Sequence, residues 1–216
     1  PFPPLSNIHA LIADMAVQIP NLRFDSGERM RGLLARNDLH PVDAAGSTLL
    51  YLRGARDTVE LMRFERPQPD SVAQFVADGQ LAFLSAEPLP ERVPEGGLLT
   101  MRTRWKRVGA ATRNYVMNMQ VSREGEFSRA IYGRNRPIGY GLLPLGDWPR
   151  DSVLVETHPF DLSPRLPPGH YRLAIMVFGI DSLGRQQSSK VQLRVPVENG
   201  QVVDLGPFEV LPRVSR

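Results

Sequence analysis

The stretch Leu98-Leu99-Thr100-Met101-Arg102-Thr103-Arg104-Trp105-Lys106 decides the fold class. Leu99, Met101, Thr103 and Trp105 alternate with Thr100, Arg102, Arg104 and Lys106. Successive strand side chains point to opposite faces, so this pattern predicts a half-buried strand with an inner apolar edge and an outer basic one. The same period returns downstream. Tyr115, Met117, Met119 and Val121 alternate with Val116, Asn118 and Gln120. Phe127 to Tyr132 reads as a return strand after the Arg123-Glu124-Gly125-Glu126 turn, and Val153, Val155 and Thr157 form another strand. Tyr171 to Phe178 is apolar on both faces and is expected to be central. Val191, Leu193 and Val195 alternate again. Glu198-Asn199-Gly200 reads as a hairpin turn, and Val202 to Val210 closes the series. Short strands at this spacing, punctuated by Gly and Pro, predict a two-layer sandwich, because a single sheet would leave one apolar face wet. Trp105, Tyr115 and Tyr171 each fall on the apolar side of their strand and are expected in the core.

Upstream the text differs. Ile8, Leu11, Ile12 and Met15 after Ser6 have helical spacing, predicting a helix over about 6–18. Ser26 and Glu28 open a second, about 27–37, with Met30, Leu33 and Leu34 inward. Thr48–Arg53 and Thr58–Phe64 read as a hairpin across Gly54-Ala55-Arg56-Asp57. Asp70 or Ser71 would cap a third helix, about 71–78, closed by Gly79. The Pro-, Gly- and charge-rich run Glu87 to Gly97 is taken as the main boundary. The expected architecture is therefore mainly β: a smaller α+β portion over 1–94, then an immunoglobulin-like antiparallel β-sandwich over 95–216.

Composition narrows the chemistry. The 216 residues contain no cysteine, which removes disulfides, cysteine-ligated zinc and thiol catalysis. No run approaches the ~18–20 apolar residues of a membrane span. The chain opens Pro-Phe-Pro-Pro without a Met or leader pattern, which reads as a fragment or processed form. Of 26 basic residues only Lys106 and Lys190 are lysine, and the net charge is +3. That is too thin a basic field for nucleic acid. The densest cluster is Arg102, Arg104 and Lys106 on one strand face. It reads as a solvated outer surface, with an anionic membrane surface or an acidic partner as the functional alternative.

The residues Leu98 to Trp105, Tyr115 to Val121, Trp148-Pro149-Arg150, Leu166-Pro167-Pro168-Gly169-His170-Tyr171-Arg172-Leu173 and Leu205-Gly206-Pro207-Phe208-Glu209-Val210 together carry a family likeness. Over about residues 95–212 the chain resembles the extracytoplasmic C-terminal β-sandwich of bacterial dolichyl-phosphate-mannose-type membrane glycosyltransferases and related polytopic membrane proteins. The resemblance implies a periplasmic or cell-surface, membrane-associated location. It also implies that any glycosyl-transfer chemistry would lie in membrane-embedded residues outside this chain.

No constellation announces catalysis. Glu124 with Glu126, and Glu156 with Asp161, are acid pairs that read as turn and strand-end charges. Ser152, His158 and Asp161 supply triad residue types without a nucleophile elbow. His158 and His170 would need further ligands to hold a metal. Gly139-Tyr140-Gly141 lacks the strand–loop–helix setting of a phosphate loop. No cofactor and no metal site is expected. The long irregular stretch 133–151 holds the best binding candidates: Arg134, Asn135, Arg136, Tyr140 and Trp148. Aromatic faces, amides and guanidinium forks on a flexible loop suit a glycan or a partner protein. The alternative is that Tyr140 and Trp148 cover the open end of the sandwich. The expected function is thus non-catalytic recognition of a glycan or a partner subunit. The competing expectation is an accessory subunit of a membrane protein complex, docking through the sandwich.

Overall fold

The computed structural model describes residues 10–14, 26–45, 48–56, 60–69, 71–126, 130–162, 166–180, 186–188, 191–193 and 202–213. The elements are β1 (Ala10–Asp14), α1 (Ser26–Arg36), β2 (Leu39–Ala45), β3 (Thr48–Arg53), β4 (Met62–Glu65), β5 (Phe75–Ala77), β6 (Leu81–Ala86), β7 (Arg92–Pro94), β8 (Leu98–Arg107), β9 (Asn114–Arg123), β10 (Tyr132–Pro137), β11 (Val153–Asp161), β12 (Gly169–Ile180), β13 (Gln186–Ser188), β14 (Val191–Leu193) and β15 (Val202–Leu211).

Two six-stranded sheets face each other. One runs β14-β5-β6-β8-β11-β4; the other runs β10-β9-β12-β15-β7, with β13 added against β12. Pairing is antiparallel throughout, except that β7 lies parallel to β15. A third, three-stranded sheet, β1-β3-β2, accompanies α1. The protein is mainly β with a β-sandwich at its centre.

The alternation read from β8 is the alternation observed. Leu99, Met101 and Trp105 are buried between the sheets, while Arg102, Arg104 and Lys106 line the outer face. Trp105 is fully buried. Its ring meets Phe83 at 4.9 Å and Phe75 at 6.1 Å, and those two stack at 5.3 Å. From the facing sheet come Tyr115, Met117 and Met119 of β9 and Tyr171, Leu173 and Ile175 of β12. β12 is central, between β9 and β15. The Leu166-Pro167-Pro168-Gly169 turn enters it under a tether: Tyr171 Oη donates to the Pro167 carbonyl at 2.7 Å. A Cβ on Gly169 would sit 3.7 Å from that ring, at φ +153°.

Several expected elements differ. Where a helix was expected over 6–18, the described residues form β1, paired with β3 from Ala10↔Leu52 to Asp14↔Thr48. A short apolar run satisfies either period, and here the strand ladder wins. β3 makes no hairpin with residues 58–64. Its partners are β1 and β2, and β4 is drawn instead onto β11. The expected helix at 71–78 is replaced by β5, because Asp78 (φ +51°) and Gly79 (φ +70°) form a tight hairpin turn closed by Gln80 N–H to the Ala77 carbonyl at 2.9 Å. An Asp-Gly pair with both φ positive is a hairpin signal, not a helix stop. The expected return strand over Phe127–Tyr132 begins only at Tyr132, with 127–129 outside the described residues. Glu198-Asn199-Gly200 also lies outside them, and the strands flanking it, β14 and β15, belong to different sheets.

The position taken as the boundary coincides with no break in pairing. β4, β5 and β6 join the β8 sheet and β7 joins the β15 sheet, all from before residue 95. The expected helix over 27–37 is present. The Asn37 side-chain amide donates to the Leu33 carbonyl at 2.9 Å, and Asp38 (φ +50°) turns the chain out of the helix. Met30 and Leu34 pack on a second cluster formed by Leu39, Leu49, Tyr51, Leu61, Tyr140 and Leu142. Arg31 holds α1 to the segment before β11, bonding the Leu142 carbonyl and, at 2.8 Å, the Asp147 carboxylate.

Candidate functional site

The sequence places five candidate residues on one exposed loop, and the structure separates them. Residues 132–137 are strand, followed by 3-10 turns over Ile138–Gly141 and Leu145–Asp147. Arg136 and Tyr140 are each only 1% exposed, and Trp148 is 3% exposed. These three line the interior and present no open surface. Arg134 is half-buried and folds back on its own strand: its Nε donates to Tyr132 Oη at 2.7 Å, with the guanidinium 5.6 Å from that ring. Asn135 alone points to the outer face. The expectation that Tyr140 and Trp148 close the end of the sandwich describes their position better than the binding loop does.

What closes that end is a buried polar cluster. Glu156 and His158 occupy inner positions of β11, both fully buried. Glu156 Oε1 accepts the Gly139 N–H at 2.6 Å, and the Tyr140 N–H also bonds this carboxyl. Gly139, Tyr140 and Gly141 are all left-handed, with φ of +73°, +53° and +65°. For Tyr140, a residue with a Cβ, this conformation is costly. The carboxyl that collects the two N–H groups offsets that cost. The Tyr140 hydroxyl bonds the Thr157 carbonyl, and its ring lies 5.8 Å from His158 at 14°. His158 Nε2 is 2.9 Å from Thr103 Oγ1, which accepts Trp105 Nε1–H at 2.7 Å. Arg136 Nη2 donates to the Pro159 carbonyl at 2.8 Å. Burial pushes the Glu156 carboxyl up to about 8, against the pull of the Gly139 and Tyr140 N–H groups and of Arg136. Burial, helped by the nearby Arg136 cation, drives His158 down to about 3. Both are therefore neutral near pH 7, and the 3.8 Å between Glu156 and His158 is not an ion pair. The triad types do not assemble. Ser152 Oγ donates to the Pro149 carbonyl at 2.8 Å, while His158 is turned to Thr103.

Among the described residues, two outer sheet faces remain accessible. On the β8 sheet, Arg102 pairs with Glu87 at 3.0 Å, and Arg104 pairs with Glu65, which also holds Arg63. Those pairings make this part of the predicted basic face a largely neutralised outer surface. Lys106 differs: no described carboxylate pairs with it.

The other surface is the outer face of the β9 sheet, and the sequence reading missed it. Asn135, Asn118, Met176 and Val202 stand opposite one another across β10, β9, β12 and β15. Asn118 Nδ2 donates to Asn135 Oδ1 at 2.6 Å, and Gln120 Nε2 donates to Asn118 Oδ1 at 2.7 Å and to Met176 Sδ at 3.0 Å. This amide ladder leaves the Asn135 nitrogen and the Gln120 carbonyl without a partner among the described residues. The next row, Gly133, Gln120, Ala174 and Asp204, puts small side chains beside it. Gly133 is exposed and leaves the amides open. The signal was present in the sequence as the polar half of the β9 alternation, which was read only for its apolar half.

No protein-family model matches the chain, and no curated protein matches it. Among solved structures it is similar to the crystal structure of the C-terminal domain of wzt, with a TM-score of 0.41 and 10% identity, covering 68% of this chain and 81% of that one.

Proposed function

We propose that this chain is a non-catalytic recognition module of a membrane-associated, extracytoplasmic system, and that it contacts a glycan through the outer face of the β9 sheet. The observation that carries the reading is the Asn135–Asn118–Gln120 ladder. Side-chain amides offer both donors and acceptors, as sugar hydroxyls require. Their mutual bonds hold them in place before a ligand arrives, so little side-chain entropy remains to be lost on binding. Exposed Gly133 leaves room for a ring to approach, and half-buried Met176 and Phe178 supply apolar surface for its C–H face. The location and the link to a membrane glycosyltransferase are supported by the sequence resemblance over about 95–212.

Binding to an oligosaccharide array, followed by calorimetry on Asn118→Ala and Gln120→Ala, tests this. The expected result is oligosaccharide binding weakened at least about tenfold in each variant, as loss of a buried-ligand hydrogen bond implies, with circular dichroism unchanged. Absence of any glycan binding, together with a stable complex between this chain and a membrane subunit, would overturn it in favour of the accessory-subunit reading.

A further inference from the structure

On the opposite sheet, where β8 ends, lies an open groove of about 650 Å³. One wall is the chain leaving β8, residues Lys106 to Ala111, and the other is Arg150 with Asp151. We propose that this groove binds a sugar acid, a pyranose carrying a carboxylate. The site lies away from the amide ladder and goes beyond the reading given to that face, so each fails separately.

Three cations meet one carboxylate here. Arg107 is already engaged: its guanidinium donates to the Gly146 carbonyl at 2.7 Å and to the Gly109 carbonyl at 3.2 Å. Its charge remains, with no acidic partner among the described residues to neutralise it. Lys106 and Arg150 have no ion-pair partner among the described residues, so their heads are available to a carboxylate. This distinguishes them from Arg102 and Arg104 on the same face, whose charges Glu87 and Glu65 satisfy.

The groove is held in shape. Val108 N–H donates to the Gln80 carbonyl at 2.9 Å, and the Gln80 side chain clamps Thr112, accepting its N–H at 2.8 Å and donating to its hydroxyl at 2.9 Å. Gly109 lies so close to the Asp78-Gly79 turn that a Cβ would fall 2.3 Å from the Gly79 carbonyl oxygen. The wall is thus pinned to the β5–β6 hairpin before any ligand arrives, as a binding site requires.

The lining selects among anions. Val108, 49% exposed, and the small side chains of Ala110 and Ala111 offer an apolar wall to the C–H face of a ring. Asp151 accepts hydroxyl hydrogens and repels a second negative charge. A bilayer of anionic lipids is flat and cannot follow the concave lining, and a bare phosphate makes no use of the apolar wall. The volume suits one or two sugar rings.

The test is a titration of the whole chain followed by amide resonances, with glucuronate disaccharide as the probe. Glucose, inorganic phosphate and phosphatidylglycerol vesicles are the comparison arms. Saturable shifts at residues 106–112 and 150–151 are expected with the glucuronate probe. They should weaken at least tenfold in Lys106→Gln and Arg150→Gln, both surface changes expected to leave the melting temperature unchanged, and glucose should leave these amides unmoved. Shifts of equal affinity with glucose or with phosphate would overturn the proposal. So would vesicle binding without glucuronate binding, or no shift at these residues. Shifts confined to residues 118, 120 and 135 would support the amide-ladder reading and overturn this one.

Discussion

The Tyr140 ring lies nearly parallel to the imidazole of His158, 5.8 Å away, so that a residue from the connection leaving β10 caps a histidine rooted in β11 of the other sheet. The stack belongs to the closure of the sandwich end, and its energetics are accessible to measurement.

Tyr140→Ala should destabilise the fold by about 3–5 kcal/mol, the cost of emptying a large buried aromatic site. Tyr140→Phe keeps the ring and removes only the bond to the Thr157 carbonyl, costing about 1 kcal/mol. Urea unfolding separates the two, and a change below about 0.5 kcal/mol for Tyr140→Ala, the range of surface positions, would contradict the burial described.

Stability should depend on pH in two opposed limbs. Glu156 has a folded value of about 8 against 4.5 for a free carboxyl, so its protonated form is favoured by folding. Its contribution is complete below about 4.5 and is lost as pH rises through 8. His158 has a folded value of about 3 against 6.5, so its neutral form is favoured; that contribution is complete above 6.5 and is lost as pH falls through 3. The two slopes oppose each other between the unperturbed values, giving a plateau there. Each limb has a slope of at most about 1.4 kcal/mol per pH unit. Thermal unfolding from pH 3 to 9 should show the plateau, and Glu156→Gln should flatten the alkaline limb and turn the plateau into a continued rise with pH up to about 6.5, the His158 limb left unopposed.

Trp105→Ala and Lys106→Ala are neighbours in sequence and opposites in effect. The first empties the aromatic cluster with Phe75 and Phe83 and should cost about 3–5 kcal/mol. The second lies on the outer face and should change stability by less than about 0.5 kcal/mol. Equal effects would mean that the β8 register is misassigned.

Gly109→Ala should destabilise by about 1–3 kcal/mol, in the range of overpacking, because the added methyl meets backbone at Gly79. Gly125→Ala is a useful companion. It meets nothing within 4 Å and is strained only by its φ of +84°, which costs an L-residue about 1–2 kcal/mol. Amide exchange should speed at Val108 and Gln80 in the first variant and stay unchanged there in the second.

The strands of the sandwich were legible wherever one face was apolar. Leu99 to Trp105, Tyr115 to Val121 and Tyr171 to Val177 each repeat with period two, and a period of two admits only one way to bury such a row. The helix from Ser26 was legible for the corresponding reason, period and cap together. Local text was insufficient where an element is short. Residues 10–14 and 75–77 carry too few side chains for a period to declare itself; pairing with β3, distant in the chain, decided the first state, and the tight Asp78-Gly79 hairpin to β6 decided the second. Of the candidate site residues, Asn135 lies on an accessible face, whereas Arg136, Tyr140 and Trp148 were read as surface groups because their types suit ligands.

By itself, then, the sequence determined which side chains of each long strand share a face, because that follows from backbone geometry alone. Which face meets solvent at the 134–148 segment, which carboxylates neutralise Arg102 and Arg104, and which amides line up across β10 and β9 were decided by the tertiary structure. Those relations join residues distant in the chain, and only the assembly of strands within each sheet, and the seating of α1 against the 142–147 segment, brings them within bonding distance.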